Sequence, residues 1–138
     1  MISNPKHGWC NFELGNFQAT PSYLTNVPVE LLDMFIDYYD RGYGVAVMET
    51  EGTFITFVIA AYTGGIYIIE ESSDEKLHII CDREVDDLRD ELINDIESDL
   101  YGWSEFITDD DPEEIKYNRE SIRQKIATLR NLKIWSKV

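Results

Sequence analysis

The pattern of apolar and polar positions divides the first third of the chain into strand-like and helix-like segments. Residues 1–7 show no regular pattern and predict a loose N-terminus. The segments WCNFEL and FQATPSYL have the aromatic, alternating character of short strands, although Pro21 limits the second to an edge or bent strand. The next segment, NVPVELLDMFIDYYDRGYG, has apolar residues at three- and four-residue spacing. With Pro28 near its start and Gly42 at its end, it predicts a helix.

Residues 44–82 have the pattern of a sheet. Four runs are rich in Val, Ile, Phe and Tyr, namely GVAVMET, TFITFVIAAY, GIYIIEE and KLHIICD. The breaks between them are the short turn sequences EG, GG and SSDE. Because such breaks are typical of hairpins, the four runs predict an antiparallel meander, with a helix across one face to complete a two-layer domain.

From residue 85 onwards the spacing is again that of helices. Val85, Leu88, Leu92, Ile96 and Leu100 form one apolar stripe, after which Gly102 is the predicted stop. The segment DPEE at 111–114 then has a capping Asp, a Pro for the first turn and acidic residues suited to a helix start. The sequence therefore predicts one α+β domain over residues 1–138. It has an antiparallel meander sheet of four to six strands, one helix after the N-terminal strands and two C-terminal helices.

The charge of the chain is large and unevenly distributed. The formal net charge is -15, and residues 84–114 contain 14 Asp or Glu residues against the single base Arg89. Residues 115–138 contain seven bases and one acid. Binding to nucleic acid or to an anionic membrane needs a basic surface, so we expect neither. With no secretory signal and no apolar run long enough to span a bilayer, we expect a cytoplasmic protein.

The acidic helix presents most of its carboxylates away from its apolar stripe. At about 100° per residue, Asp87, Asp90, Glu91 and Glu97 should face water or a partner. Asp95 and Asp99 lie at the flank of the stripe, where we expect them to meet the basic flank of the last helix. A solvated surface that only keeps the protein soluble remains open. The predicted partner-binding residues are Asp87, Asp90, Glu91, Glu97, Trp103, Asp109, Asp110 and Asp111.

Trp103 has two interpretations, because an aromatic residue ringed by charge resembles a binding hot spot. The other interpretation, which the size of aromatic side chains favours, is that it covers the core between the last two helices.

Other chemistry has little support in the sequence. DDDPEE lacks the alternating ligands and mid-loop Gly of a calcium loop. His7 with Cys10, and His78 with Cys81, supply zinc-type residues, but His78 and Cys81 would point to opposite faces of a strand, with Cys81 in the core. We predict no catalytic residue, no cofactor and no metal. A metal-dependent hydrolase that uses these pairs and the sheet-edge carboxylates remains a second alternative.

Three segments are similar to those of small acidic bacterial immunity proteins, which neutralise polymorphic toxins, including those of contact-dependent growth inhibition. They are SYLTNVPVELLDMFIDYYDRGYG, FVIAAYTGGIYIIEE and LINDIESDLYGWSEF, and the resemblance covers the order of elements over residues 8–133. It implies a cytoplasmic protein that binds and occludes one cognate toxin domain, with no chemistry of its own. Toxins that cut nucleic acid have basic clefts that an acidic protein can cover. The first alternative is an acidic regulatory or adaptor protein for a basic host protein. The sequence leaves the oligomeric state open.

Overall fold

A computed structural model of the protein describes residues 1–108 and 110–136. Within these residues the chain forms an α+β fold with two antiparallel sheets, as the sequence predicts in class and in order of elements. The first sheet has three strands and the second has four. The strands are β1 Ile2–Lys6, β2 Trp9–Leu14, β3 Phe17–Ala19, β4 Tyr43–Glu49, β5 Phe54–Ala60, β6 Gly65–Glu71 and β7 Glu75–Ile79. The helices are α1 Val27–Arg41, α2 Val85–Glu97, α3 Leu100–Ser104 and α4 Pro112–Ser136.

The N-terminal strands form a sheet of their own, in the order β1-β2-β3. The prediction of a loose segment over residues 1–7 is wrong, because β1 pairs with β2 and Ile2 is buried. Its register is irregular between Ser3 and Lys6, which is why no strand pattern is visible in the sequence. The strand predicted in FQATPSYL ends at Ala19, before Pro21. Ser22 then joins the two sheets, because its amide donates to the Glu49 carbonyl at 2.8 Å.

Helix α1 begins and ends where the sequence predicts. Pro28 lies in the first turn, and Gly42 closes the helix in the left-handed conformation with φ 91°, donating its amide to the Tyr38 carbonyl. The buried face of α1 packs on β4 at a point where Gly44 meets the Met34 carbonyl directly. A Cβ at Gly44 would lie 2.8 Å from the Met34 carbonyl carbon and closer still to its oxygen. The helix can approach the sheet this closely only over a glycine.

Strands β4 to β7 form the predicted meander, each strand pairing with the next along the chain. Side chains alternate between the two faces of the sheet. On the inner face, Met48, Ile55, Phe57 and Ile68 are fully buried, whereas Glu70 and His78 are about one-third exposed. Phe12 of the N-terminal sheet packs edge-on against Phe57, with the ring centroids 5.8 Å apart. The core therefore lies between the inner face of the meander, α1, the N-terminal sheet and the C-terminal helices.

The C-terminal helices start as predicted, but the acidic helix ends early. Gly102 does not terminate it: α2 ends at Glu97, and Gly102 lies inside the short helix α3. The cause is the Asp99 carboxylate, which accepts a hydrogen bond from the Gly102 amide at 3.1 Å and starts a new turn. Asp111 caps α4 as predicted, accepting from the Glu113 and Glu114 amides at 3.1 and 3.3 Å. In the described part of the chain, no helix is both long and apolar enough to cross a membrane.

Candidate binding surface

The acidic face of α2 divides into residues with internal partners and residues without them. Asp87 is exposed and has no hydrogen-bond or ion-pair partner among the described residues. Asp90 lies beside Arg89, whose Nε donates to the Asp90 carboxylate at 3.2 Å. The Nη2 of Arg89 lies 3.1 Å from the same oxygen, within ion-pair range but without hydrogen-bond alignment. Of these two carboxylates, Asp87 is therefore the one that has no ion-pair partner among the described residues.

Arg89 itself is fully buried, which the sequence did not indicate. Its guanidinium lies over the Tyr39 ring at 5.2 Å from the centroid and donates to the Tyr39 hydroxyl at 2.9 Å. That hydroxyl donates in turn to Asp86. Burial, followed by the hydrogen bond with Asp86, raises the pKa of Tyr39. This network joins α1 to the first turns of α2. Arg89, the only base in residues 84–114, therefore stabilises the packing of these two helices.

Glu91 and Asp95 bind the start of the chain. The Met1 amino group donates to both carboxylates at 2.9 Å, and Arg83 also binds Glu91. Burial opposes ionisation of Glu91, but the hydrogen bonds from Met1 and Arg83 outweigh it, so the pKa of Glu91 is lowered. Burial also disfavours the charged amino group of Met1, but its bonds to Asp95 and Glu91 raise its pKa overall. Glu91 is thus held within the fold by two cations.

The expected pairing between α2 and the basic flank of α4 uses a different acid. Glu97, which we expected to face outwards, binds Arg130 through both guanidinium Nη groups, with Nη1 to Oε2 at 3.0 Å. Asp95 and Asp99 do not contact that flank. Asp95 is occupied by Met1, and Asp99 caps α3 because α2 ends before it. The prediction that Asp95 and Asp99 pair with the last helix is therefore wrong.

Trp103 lies in the core rather than on the surface. It is 0% exposed, its Nε1 donates to the Asp95 carbonyl at 3.3 Å, and its ring lies 5.7 Å from that of Phe106. A contact surface needs exposed side chains, so this geometry fits the core interpretation and not the partner-binding one. The early end of α2 turns the chain inwards at this point, which the helical pattern did not show.

The acidic link before α4 borders a surface cleft. Asp109 lies outside the described residues. Asp110 is exposed and lines a cleft of about 620 Å³ together with His7, Tyr23 and Phe106. Asp111 is the cap of α4. Of the three acids in this link, Asp110 is the one that the structure shows both exposed and free of a capping role.

The acidic charge as a whole exceeds what the fold neutralises. Of the 26 Asp and Glu residues that the structure describes, which are the 27 of the chain less Asp109, only nine take part in ion pairs. Asp87, Glu113 and Glu114 are among the exposed acids that have no ion pair there. Unpaired like charges destabilise the folded state and attract cationic partners.

The histidines and cysteines do not come together. His78 pairs with Glu70 at 2.6 Å and stacks near Phe17, whereas Cys81 is exposed beyond the end of β7. The prediction of Cys81 as a core residue is wrong because β7 ends at Ile79. Cys10 is the buried thiol, and burial raises its pKa to about 12. Among the described residues, no group of three or more potential metal ligands lies together.

A surface that the sequence analysis missed is the outer face of the β4–β7 sheet. Five large apolar side chains there remain roughly half exposed, namely Leu77 and Ile79 at 59%, Tyr43 at 52%, Phe54 at 48% and Val45 at 44%. The signal was present in runs such as FITFVIA, which are apolar at consecutive positions instead of alternating. Such runs are typical of strands that are covered on both faces. In the described part of the chain, the helix that packs on this sheet is α1, and it does so on the inner face, at Gly44.

The outer face is large enough to matter energetically. Burying a large apolar side chain completely contributes about 1.5–3 kcal/mol. Covering these five half-exposed residues would contribute roughly 4–8 kcal/mol before the costs of association. The face is therefore a stronger candidate for a contact surface than Trp103.

Comparison with known proteins identifies no related protein. No family model, curated protein or solved structure matches this chain. A function for the protein has to be argued from its own charges and surfaces.

Proposed function

We propose that this protein binds a basic protein and blocks its activity, in the manner of the small acidic immunity proteins that it resembles. The partner would be a cognate bacterial toxin domain, of the nuclease type. The observation that carries the proposal is the acidic charge that the fold leaves without internal partners. No step of chemistry is assigned to the chain, because inhibition by occlusion needs only a complementary surface.

The charge supports fast and selective association. A net charge of -15 can raise the rate of encounter with a cationic protein by about 10–1000-fold, and this effect falls as salt is added. Nucleases bind phosphates with Lys and Arg, so their clefts have the opposite charge. Glu91 and Glu97 would contribute mainly to this field, because each already has a basic partner. Asp87 and the first turn of α4 are free to make new contacts.

The first test is a direct measurement of neutralisation. The protein encoded next to this chain is purified, and its activity is measured with and without an equimolar amount of this protein. We expect a complex in gel filtration and loss of activity. Full activity with no complex would show that the proposal is wrong. A complex with some other basic protein, and no toxin beside the gene, would favour the adaptor function instead.

The second test concerns the acidic surface. Asp87→Lys and Glu13→Lys change the net charge equally, and both residues are exposed, but only Asp87 lies on α2. We expect Asp87→Lys to slow association at low salt several-fold more than the control does, and to weaken its salt dependence. Equal rates for both variants would place the region of approach elsewhere on the molecule.

A further inference from the structure

We propose that the outer face of the β4–β7 sheet is a docking surface for a protein that presents an apolar patch bordered by Lys or Arg. The docking surface deepens the proposed function. It rests on that function only for the identification of the partner as a toxin. The acidic surface of α2 would then guide approach, and the sheet would hold the bound partner.

The register of the meander gathers the outward side chains into rows that cross the sheet. Val45, Val58, Tyr67 and Ile79 form one row, since each is the Cα partner of the next. Val47, Thr56, Ile69 and Leu77 form the adjacent row in the same way. Of these eight residues, Thr56 and Tyr67 carry a hydroxyl group, and the Tyr67 hydroxyl binds Thr63 beside the sheet. The two rows make a predominantly apolar strip across all four strands.

This strip is not required by the protein's own core. The apolar side chains on the inner face of the same strands, among them Met48, Phe57 and Ile68, are fully buried, so the core is closed without the outer face. Antiparallel sheets with one free face usually carry polar residues there. Exposed apolar patches that exceed a few hundred Å² and have a polar border commonly mark sites of protein interaction. The sequence thus places an apolar surface on a face that the described elements leave exposed.

The charges at one end of the face indicate the chemistry of the occupant. The next row in register is Glu49, Phe54, Glu71 and Glu75, which places the exposed Phe54 ring between Glu49 and Glu71, with Glu75 on the strand beyond. None of these three acids has an ion pair among the described residues. A second copy of this chain would bring another net charge of -15 to the interface, so its approach would be opposed. An apolar patch with Lys or Arg along one side is complementary to this arrangement.

The test uses a defined probe with that chemistry. The probe is a fluorescent amphipathic helical peptide with Leu on one face and Lys on the other, and its binding is followed by anisotropy at physiological ionic strength. The test variant is Leu77→Gln with Ile79→Gln. The control is Tyr101→Gln with Tyr117→Gln, which removes two large apolar residues of α3 and α4 that are at least as exposed as Leu77 and Ile79. All four side chains are mostly exposed, so circular dichroism and urea unfolding should show that both variants remain folded.

We expect the sheet variant to bind the peptide at least about tenfold more weakly than the parent, and the control to stay within about twofold. The proposal is overturned if the parent does not bind the peptide, or if the sheet variant binds as well as the control. It is also overturned if sedimentation shows a dimer of the parent that the sheet variant loses, because the occupant is then a second copy.

The outcome is separable from that of the proposed function. If the neighbouring protein forms no complex but the peptide result holds, the immunity function is wrong and the docking surface stands. If the neighbouring protein is neutralised equally by the parent and the sheet variant, the function stands and the docking surface is wrong.

Discussion

Gly42 and Gly44 lie two residues apart and are required for opposite reasons. Gly42 has φ 91°, a left-handed conformation, and a Cβ there would meet no atom within 4 Å. Gly44 has no such backbone constraint, but a Cβ would lie 2.8 Å from the Met34 carbonyl carbon and 3.1 Å from its Cα. The first glycine is needed for its backbone angle and the second for its lack of a side chain. Alanine at each position therefore tests two different physical causes.

The expected costs follow from this difference. Carbon atoms in contact normally lie about 3.5–4.0 Å apart, so Gly44→Ala must separate α1 from β4 by roughly 1 Å. Because the atoms met are backbone, no rotamer change relieves the clash, and we expect the upper end of overpacking, about 3 kcal/mol or more. Gly42→Ala should cost about 1–2 kcal/mol for the left-handed backbone. Asn tolerates that conformation, so Gly42→Asn should cost less than Gly42→Ala.

Urea unfolding followed by circular dichroism measures these differences. With a slope of about 1–3 kcal/mol/M, Gly44→Ala should lower the midpoint by about 1–3 M. A loss below about 1 kcal/mol, or a larger loss for Gly42→Ala than for Gly44→Ala, would refute the close approach of α1 to β4. An unchanged slope in all variants is the condition for comparing them.

Three further predictions concern single side chains. Because the folded pKa of Glu91 is lowered, its charge stabilises the fold above its unfolded pKa of about 4.3, and this contribution disappears as the pH falls through the folded value. Glu91→Gln should cost about 1 kcal/mol at pH 7, allowing for solvent screening, and progressively less as the pH falls through the folded pKa of Glu91; a loss in urea unfolding that does not change with pH would contradict this. Arg89→Ala should destabilise by about 2 kcal/mol more than Arg89→Met, since Met fills most of the space around the buried side chain; equal midpoints would show that Arg89 is not packed as described. A disulfide reagent should modify one thiol rapidly in the folded protein, at the exposed Cys81, and reach the buried Cys10 only on unfolding; a rapid phase that persists in Cys81→Ser would contradict the assignment.

Local signals in the sequence predicted most of the elements. The spacing around Leu31 and Phe35, with Pro28 and Gly42 at the ends, depends on contacts within a few residues, and α1 has those bounds. The same holds for the hairpins of the meander and for the Asp111 cap. The strand β1 was missed because its register breaks after Ser3, and the end of α2 was misplaced because a side chain, Asp99, decides it. The spacing of apolar residues does not reveal a register break or a side-chain cap of this kind.

The candidate site was harder to predict from the sequence, because the residues that pair there are distant along the chain. Glu91 meets an amino group 90 residues away, and Arg130 reaches Glu97 across 33 residues. A helical wheel gives the direction of a side chain but not what another element places there. The exposed sheet face is different, since its apolar runs were visible. Their consequence was missed because one covering helix was assumed to account for them.

The packing of α1 on α4 has a consequence for the order of folding. Lys125 binds Asp33 at 2.7 Å and Asn26 binds Asn118 at 2.9 Å, each across 92 residues, whereas each hairpin of the meander closes within about 20 residues. Long loops close late, so the hairpins can form while α4 is still undocked. Substitutions at Asp33 or Asn118 should therefore speed unfolding and leave the rate of folding almost unchanged. The contact between α1 and α4 would then determine how long the native state lasts, and not how quickly it forms.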